Sequence, residues 1–465
     1  MNGVLARYGR GVLTAVSALG LAAAAVAVAP SAAGGQAATG AAHVAGAPVA
    51  HGKVARKTPA IGAHPHYRVA GRVTDSADPV FSCQKPAPGD LQCYGPKQIR
   101  AAYGVDKLAG HGLTGRGRTI VVVDAFSSPT LRSDVAAFDK LFNLPDPVLR
   151  VVAPDGKTPF DPKDDNQVGW AGEITLDVEW SHAIAPKAKI VLVLAKTNDD
   201  ADILSATRFA VDHNLGDVIS QSFGEAEQCM DPTLLAAQHK LFAKAVAKRM
   251  TLLASSGDDG AAQPTCDNTS FFKAASTPAS DPNVTGVGGT MLSANGLTGA
   301  YKSEQVWNEP TFESGGGGGL SVVYRAPGYQ RAQHLRTRGV PDVSYNAAID
   351  GGVLVVWGDG SLDPADQAVY IFGGTSSGSP QWAGLVALSA QLRHHRLGEI
   401  NRALYALALA PRIYNTQFHD ITVGNNTFHG PVTVPGFPAR KGWDAASGLG
   451  SPKANAIVPA LALIG

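Results

Sequence analysis

Short apolar runs recur along the chain with mixed segments between them. The stretches TIVVVDAF (119–126), KIVLVL (189–194), GDVISQSFG (216–224) and TLLASSGDDG (251–260) each predict a buried strand, the last one closing in a glycine turn. LRSDVAAFDKLFN (131–143), DDADILSATRFAVDHN (199–214) and residues 232–250 predict helices. Apolar strands alternating with helices imply an α/β fold, with a mostly parallel sheet flanked by helices on both faces. Such sheets carry their chemistry at the carboxyl ends of the strands. No internal repeat is apparent.

The ends of the chain follow other patterns. MNGVLARYGRG places Arg7 and Arg10 before an alanine-rich apolar run that reaches Pro30, with small A-x-A patterns after it. Residues 1–34 therefore predict a secretory signal peptide rather than a membrane anchor. Residues 35–66 lack periodicity and predict a disordered linker; residues 67–93 predict a short extended leader or reduced propeptide. The globular domain is expected over 94–465. Its 45% hydrophobic content supplies a sizeable core. A net charge of +1 gives no support for a nucleic acid or an anionic surface as partner. The four cysteines, Cys83, Cys93, Cys229 and Cys266, fit an exported protein. Pairing in sequence order is the simplest of their three connectivities. No C-x-x-C pair suggests zinc or redox chemistry. Monomer is the expectation for such a chain.

Two segments carry candidate chemistry. YIFGGTSSGSPQWAGLVALSAQL (370–392) reads strand, turn, helix, and lifts Ser376 onto a helix N-terminus where positive potential favours a developing anion. Helix capping by Ser376 or Ser377 is the plainer use of serine there. In GWAGEITLDVEWSHAIAPKAKIVLV (169–193), Glu173 and Asp177 stand at i and i+4 on one face of a largely apolar helix. A half-buried like-charged pair shares a proton, so Glu173 suits a general base and Asp177 its orienting partner. Glu179 reads as part of a solvated face. Asp258 and Asp259 stand in a glycine turn, where acids are ordinarily turn formers; an aspartate beside a developing oxyanion suits a donor when protonated, which favours acidic pH.

Other bases compete. Asp124 ends a strand as in a histidine-dependent enzyme, but no suitable histidine helix follows, so it reads as a strand-end or turn residue. GTSSG also matches the G-x-S-x-G pattern of an α/β-hydrolase esterase, with Asp420 and His429 to complete a triad. A catalytically silent secreted binding protein is the reading from a different class.

Together these motifs resemble the sedolisins, the serine-carboxyl peptidases. Gly374, Thr375, Ser376 and Pro380 match the family's serine motif, Glu173 and Asp177 its E-x-x-x-D pair, and Asp258 its S-G-D-x-G turn; YGPKQIRAAYGV matches its opening. The resemblance runs from about Tyr94 to the C-terminus. It implies a subtilisin-like fold and an acyl-enzyme on Ser376, with Glu173 as base, Asp177 assisting and Asp258 at the oxyanion. It also implies secretion, activity at acidic pH on protein or peptide substrates, and no stable membrane association. One calcium ion is implied, held by Asp420 and Asp444 with the carbonyls of Ile421, Arg440 and Gly442, a donor set suited to a hard cation. Ser222, Phe223 and Gly224, and the glycine run 315–319, match cleft edges that pair with an extended peptide. A long folded prodomain is typical of the family. Here only about sixty residues separate the signal from Tyr94.

Overall fold

The computed structural model describes residues 61–62, 66–74 and 78–464, all within the unit Thr58–Gly465. The expected signal peptide and most of the expected linker lie outside the described residues. In chain order the elements that position the site are β1 (His66–Arg72), β2 (Thr119–Ala125), α1 (Leu131–Phe142), β3 (Val148–Val152), α2 (Asp165–Ile184), β4 (Lys189–Ala195), α3 (Asp200–Asp212), β5 (Val218–Gln221), α4 (Pro232–Ala247), β6 (Thr251–Ser255), β7 (Thr285–Ala294), β8 (Tyr301–Val306), β9 (Val343–Asn346), β10 (Gly352–Trp357), β11 (Ala368–Gly373) and α5 (Gly378–Arg393).

The large sheet has eight strands. Seven run in the order β8-β7-β6-β5-β2-β4-β3, and β9 also pairs with β7. Every pairing is parallel except β7 with β8. The predicted strands and helices fall where the apolar runs placed them, because a parallel sheet buried on both faces needs continuous Val, Ile and Leu. A second sheet is built from β1, β11, β10 and the short strand Cys93–Tyr94.

Alternation along β2 assigns the two faces. Val121, Val123 and Ala125 join an apolar cluster with Ile203, Ala206 and Ala210 of α3 and Leu241, Phe242 and Ala245 of α4. Asp124, between Val123 and Ala125, therefore points to the other face, where α2 and α5 lie. Those two helices pack closely. A Cβ on Gly384 of α5 would stand 2.6 Å from Ile184 Cβ of α2, so only glycine allows this approach. Both helices are buried along most of their length, which explains why neither has a polar stripe.

Disulfides join Cys83 to Cys93 and Cys229 to Cys266, pairing the cysteines in sequence order. Among the described residues no helix is long and apolar enough to cross a membrane. The last residues of the expected linker differ from that expectation. Ile61 is buried, Gly62 bridges to Gly224, and His66 begins β1, which pairs antiparallel with β11.

Candidate active site

Ser376 sits in a single 3-10 turn, Thr375–Ser377, between the end of β11 and the start of α5. The capping expectation fails here. Ser377 occupies the N-cap position of α5 without a side-chain cap bond and donates instead to the Asn346 carbonyl at 2.7 Å. Ser376 Oγ approaches the Ser222 carbonyl at 3.4 Å. The turn depends on Gly374, whose φ of +123° disfavours a side chain; a Cβ there would also meet Asp258 Oδ2 at 2.7 Å.

Asp258 is locked to this turn. Its Oδ1 accepts from the Thr375 backbone N–H at 2.8 Å and from the Thr375 hydroxyl at 2.7 Å. The next residue, Asp259, is pushed up to about 7 by burial and by the charge of Asp258, and forms a bridge with Gly315. The glycine run is therefore not a free loop. Gly315 and Gly317 donate their N–H groups to Asp258 O and Gly257 O at 2.8 and 2.7 Å, tying the run to the aspartate turn.

Glu173 and Asp177 are fully buried on α2. Asp177 Oδ1 accepts from Ser222 Oγ at 2.8 Å, while its Oδ2 and both oxygens of Glu173 lack a hydrogen-bond partner. Burial raises Glu173 well above the ordinary carboxylate range. The charge of Asp124 adds to the rise, the facing Ser376 hydroxyl opposes it, and the charge of Asp258 is a smaller upward cause. Asp177 is raised by burial, then by Asp124 and Glu173, against the hydrogen bond from Ser222. Hydrogen bonds at catalytic groups often tighten only when substrate binds, so orphaned oxygens on Glu173 are compatible with a base awaiting its proton.

Asp124 belongs to the same cluster. It is fully buried, neither oxygen has a partner, and burial pushes it up to about 8. Reading it as a strand-end residue described its place in the chain and missed its neighbours. The signal was a carboxylate inside a continuous apolar run, on the alternate that faces α2. Glu179 corrects another expectation. It is buried, not solvated, and accepts from the Val356 N–H of β10 at 3.1 Å.

The histidine alternatives gain no support. His182 is buried, with Nε2 2.6 Å from the Pro145 carbonyl and 3.2 Å from Asp139. His429 is exposed on a two-residue strand, Phe428–His429, paired with Thr433–Val434.

The expected cleft residues follow β5 directly. Ser222 touches Asp177 and Ser376 as described. Phe223 is buried, its ring 5.9 Å from that of Trp170. Gly224 is half-buried and pairs with Gly62.

The expected metal ligands lie in two C-terminal segments that meet. Asp420 Oδ1 accepts from Tyr414 Oη at 2.9 Å and from the Gly442 N–H at 3.0 Å. Asp444 Oδ2 accepts from the Arg440 N–H at 2.8 Å, and its Oδ1 accepts from Ala446 and Ser447. The N–H groups that meet Asp444 and Asp420 belong to Arg440 and Gly442, two residues apart, so both carboxylates cap one short segment. No ion pair to Lys or Arg involves either among the described residues, and Ile421 is buried beside Asp420. Among the described residues no three His, Cys, Asp or Glu side chains form a metal cluster.

The chain is similar to known peptidases in sequence and in fold. Residues 165–407 match the subtilase family model. Kumamolisin of Bacillus sp. (strain MN-32) is 32% identical over 410 residues, covering 86% of this chain and 68% of that protein. Sedolisin of Pseudomonas sp. (strain 101) is 36% identical over 255 residues, covering 52% of this chain and 40% of that protein. The solved structure of Pseudomonas sedolisin, a serine-carboxyl proteinase complexed with two molecules of pseudo-iodotyrostatin, superposes with a TM-score of 0.68 at 27% identity. That alignment covers 80% of this chain and 98% of the sedolisin chain.

Proposed function

The chain belongs to the sedolisin family of serine-carboxyl peptidases, and from that premise we propose a secreted endopeptidase that hydrolyses peptide bonds at acidic pH through an acyl-enzyme on Ser376. The observation that carries the reading is the meeting of three buried carboxylates with one serine, opposite an aspartate fastened to the serine's own turn.

Three carboxylates this close do not all ionise. Asp124, Asp177 and Glu173 titrate as one unit. When the charge rests on Glu173, that group takes the proton of Ser376 Oγ as the oxygen attacks the scissile carbonyl. Asp177, held by Ser222, orients Glu173 and steadies its protonated form. The new oxyanion lies against Asp258. A carboxyl group donates only when protonated, and Asp258 Oδ1 already accepts two bonds from Thr375, so a proton on Oδ2 serves the oxyanion. Glu173 then returns its proton to the leaving amine, and water enters by the same route to release the acyl group.

Asp420 and Asp444, with the carbonyls of Ile421, Arg440 and Gly442, would hold a calcium ion as hard oxygen donors. Calcium would supply charge compensation for two carboxylates that, among the described residues, form no ion pair with Lys or Arg. The disulfides suit an oxidising extracellular compartment.

The direct test is hydrolysis of a denatured protein from roughly pH 3 to pH 8 with calcium present. Native chain, Ser376→Ala and Glu173→Gln are compared. Acid-limited activity lost in both variants supports the reading. Activity near neutrality that survives Glu173→Gln rejects it, and dependence on His429 would favour the esterase.

A further inference from the structure

At the end of α5 away from Ser376 the chain gathers positive charge. Lys248, Arg249, Arg393, His395 and Arg396 line a cavity of about 330 Å³. Lys248 and Arg249 follow the last turn of α4, and Arg393 closes α5. The 16 residues of α5 rise by about 24 Å, which sets the cavity far from the nucleophile at the helix start. Helix C-termini attract cations that cap their carbonyls, and part of this cluster does so. Lys248 Nζ donates to the Val211 and Asp212 carbonyls at 2.7 and 3.0 Å, Arg249 Nη2 to the Arg396 carbonyl at 3.2 Å, and Arg393 Nη1 to the Ala462 carbonyl at 3.0 Å.

Capping does not use up this cluster. Each guanidinium carries five N–H donors, and Arg393 Nε is buried without a partner. No carboxylate lines the cavity. Asp217 is shared between Arg396 at 3.6 Å and Arg118 at 3.5 Å, and Asp212 pairs with Lys244 at 2.8 Å. The overall charge of +1 hides this local excess, and a concave wall of one sign focuses its field. We propose that the cavity is a binding site for a chain of linked phosphates. Three guanidinium groups and an ammonium call for a concentrated anion. A phosphate group carries up to two charges where a carboxylate carries one, and its oxygens match the guanidinium fork. The volume exceeds what one ion needs and falls within the range of small-molecule sites, roughly 300–1,000 Å³. No Phe, Tyr or Trp lines the cavity, so nothing there stacks a nucleobase, and the phosphate chain itself is the ligand. The site is independent of the peptidase reading. A bound chain ties the end of α4 to the end of α5 and so stabilises the fold.

The test is calorimetric titration of tripolyphosphate into the native chain near neutral pH at constant ionic strength. Binding at one site is expected. Arg249→Glu reverses an exposed charge on the cavity wall and is expected to weaken binding by at least about tenfold. Lys240→Glu makes the same change on an exposed residue of α4 outside the cavity and is expected to alter affinity by less than about twofold. Melting curves establish that both variants are folded, and Arg249→Gln replaces Arg249→Glu if the reversal prevents folding. Absence of binding, or equal losses in the two variants, overturns the proposal. Inorganic phosphate or citrate binding as tightly as tripolyphosphate overturns the assignment to linked phosphates. Adenosine triphosphate binding with the affinity of tripolyphosphate supports a site for the chain alone; binding at least about tenfold tighter overturns it in favour of a nucleotide.

Discussion

Asp258 holds Thr375 by both its backbone N–H and its hydroxyl, so the acid proposed for the oxyanion and the turn that carries Ser376 form one unit. Asp258→Asn keeps an acceptor for Thr375 and supplies a donor that no longer depends on a proton. The expected outcome is a fall in kcat of about 10²–10³-fold, since an amide is a poorer match for the oxyanion than an acid. The kcat of the two enzymes at one acidic pH checks it.

Asp124 bears on the base system through charge. Its repulsion is the second cause of the raised Glu173 and Asp177, after burial. Asp124→Asn removes that repulsion and eases ionisation of Glu173. The acid limb of kcat/KM is expected to shift to lower pH. An unmoved limb would separate Asp124 from the base system.

Buried acids also set how stability depends on pH. Burial raises Glu173, Asp177 and Glu179 well above the ordinary carboxylate range and pushes Asp124 up to about 8. Glu179, and the set of Asp124, Glu173 and Asp177 taken together with at most part of its charge, keep protons in the folded chain that the unfolded chain has lost. The stabilisation is complete below the unfolded pKa and disappears as pH rises through the folded one. Thermal unfolding is therefore expected to occur at higher temperature in mild acid than near pH 8. Glu179→Gln, away from the nucleophile, should flatten that slope by up to one proton, about 1.4 kcal/mol per pH unit.

The C-terminal carboxylates predict a response to metal. Removing calcium with a chelator should lower the melting temperature, by on the order of 5 °C for an ion present near 100 times its Kd. In Asp420→Ala with Asp444→Asn the melting temperature should no longer respond to calcium. An equal response in native and substituted chains would exclude these residues as ligands.

Much of this was legible in the sequence because parallel strands are written as apolar runs, and Glu173 with Asp177 as an i, i+4 pair. The choice of Asp258 over Asp259 came from the resemblance to the family's S-G-D-x-G turn, since the glycine turn by itself left both aspartates open; the hydrogen bonds from Thr375 fall on Asp258. Asp124 stayed hidden because its meaning depends on which face of β2 meets α2, a tertiary fact. Glu179 misled because α2 is buried nearly all round, so helical periodicity carries no inside–outside signal. The burial of Ile61 stayed hidden because the contact beside it, the bridge of Gly62 with Gly224, is made by main chain, which leaves little trace in composition.

The pairing of β1 with β11 has a consequence for any shortened form of the protein. β11 lies between β1 and β10 and leads straight into the Ser376 turn. A chain trimmed past Arg72 would carry its nucleophile at the end of an uncovered edge strand, with unpaired N–H and C=O groups from Ala368 to Gly373. Bare edges recruit strands from other molecules. Trimmed protein would thus gain self-association through the strand that delivers its serine.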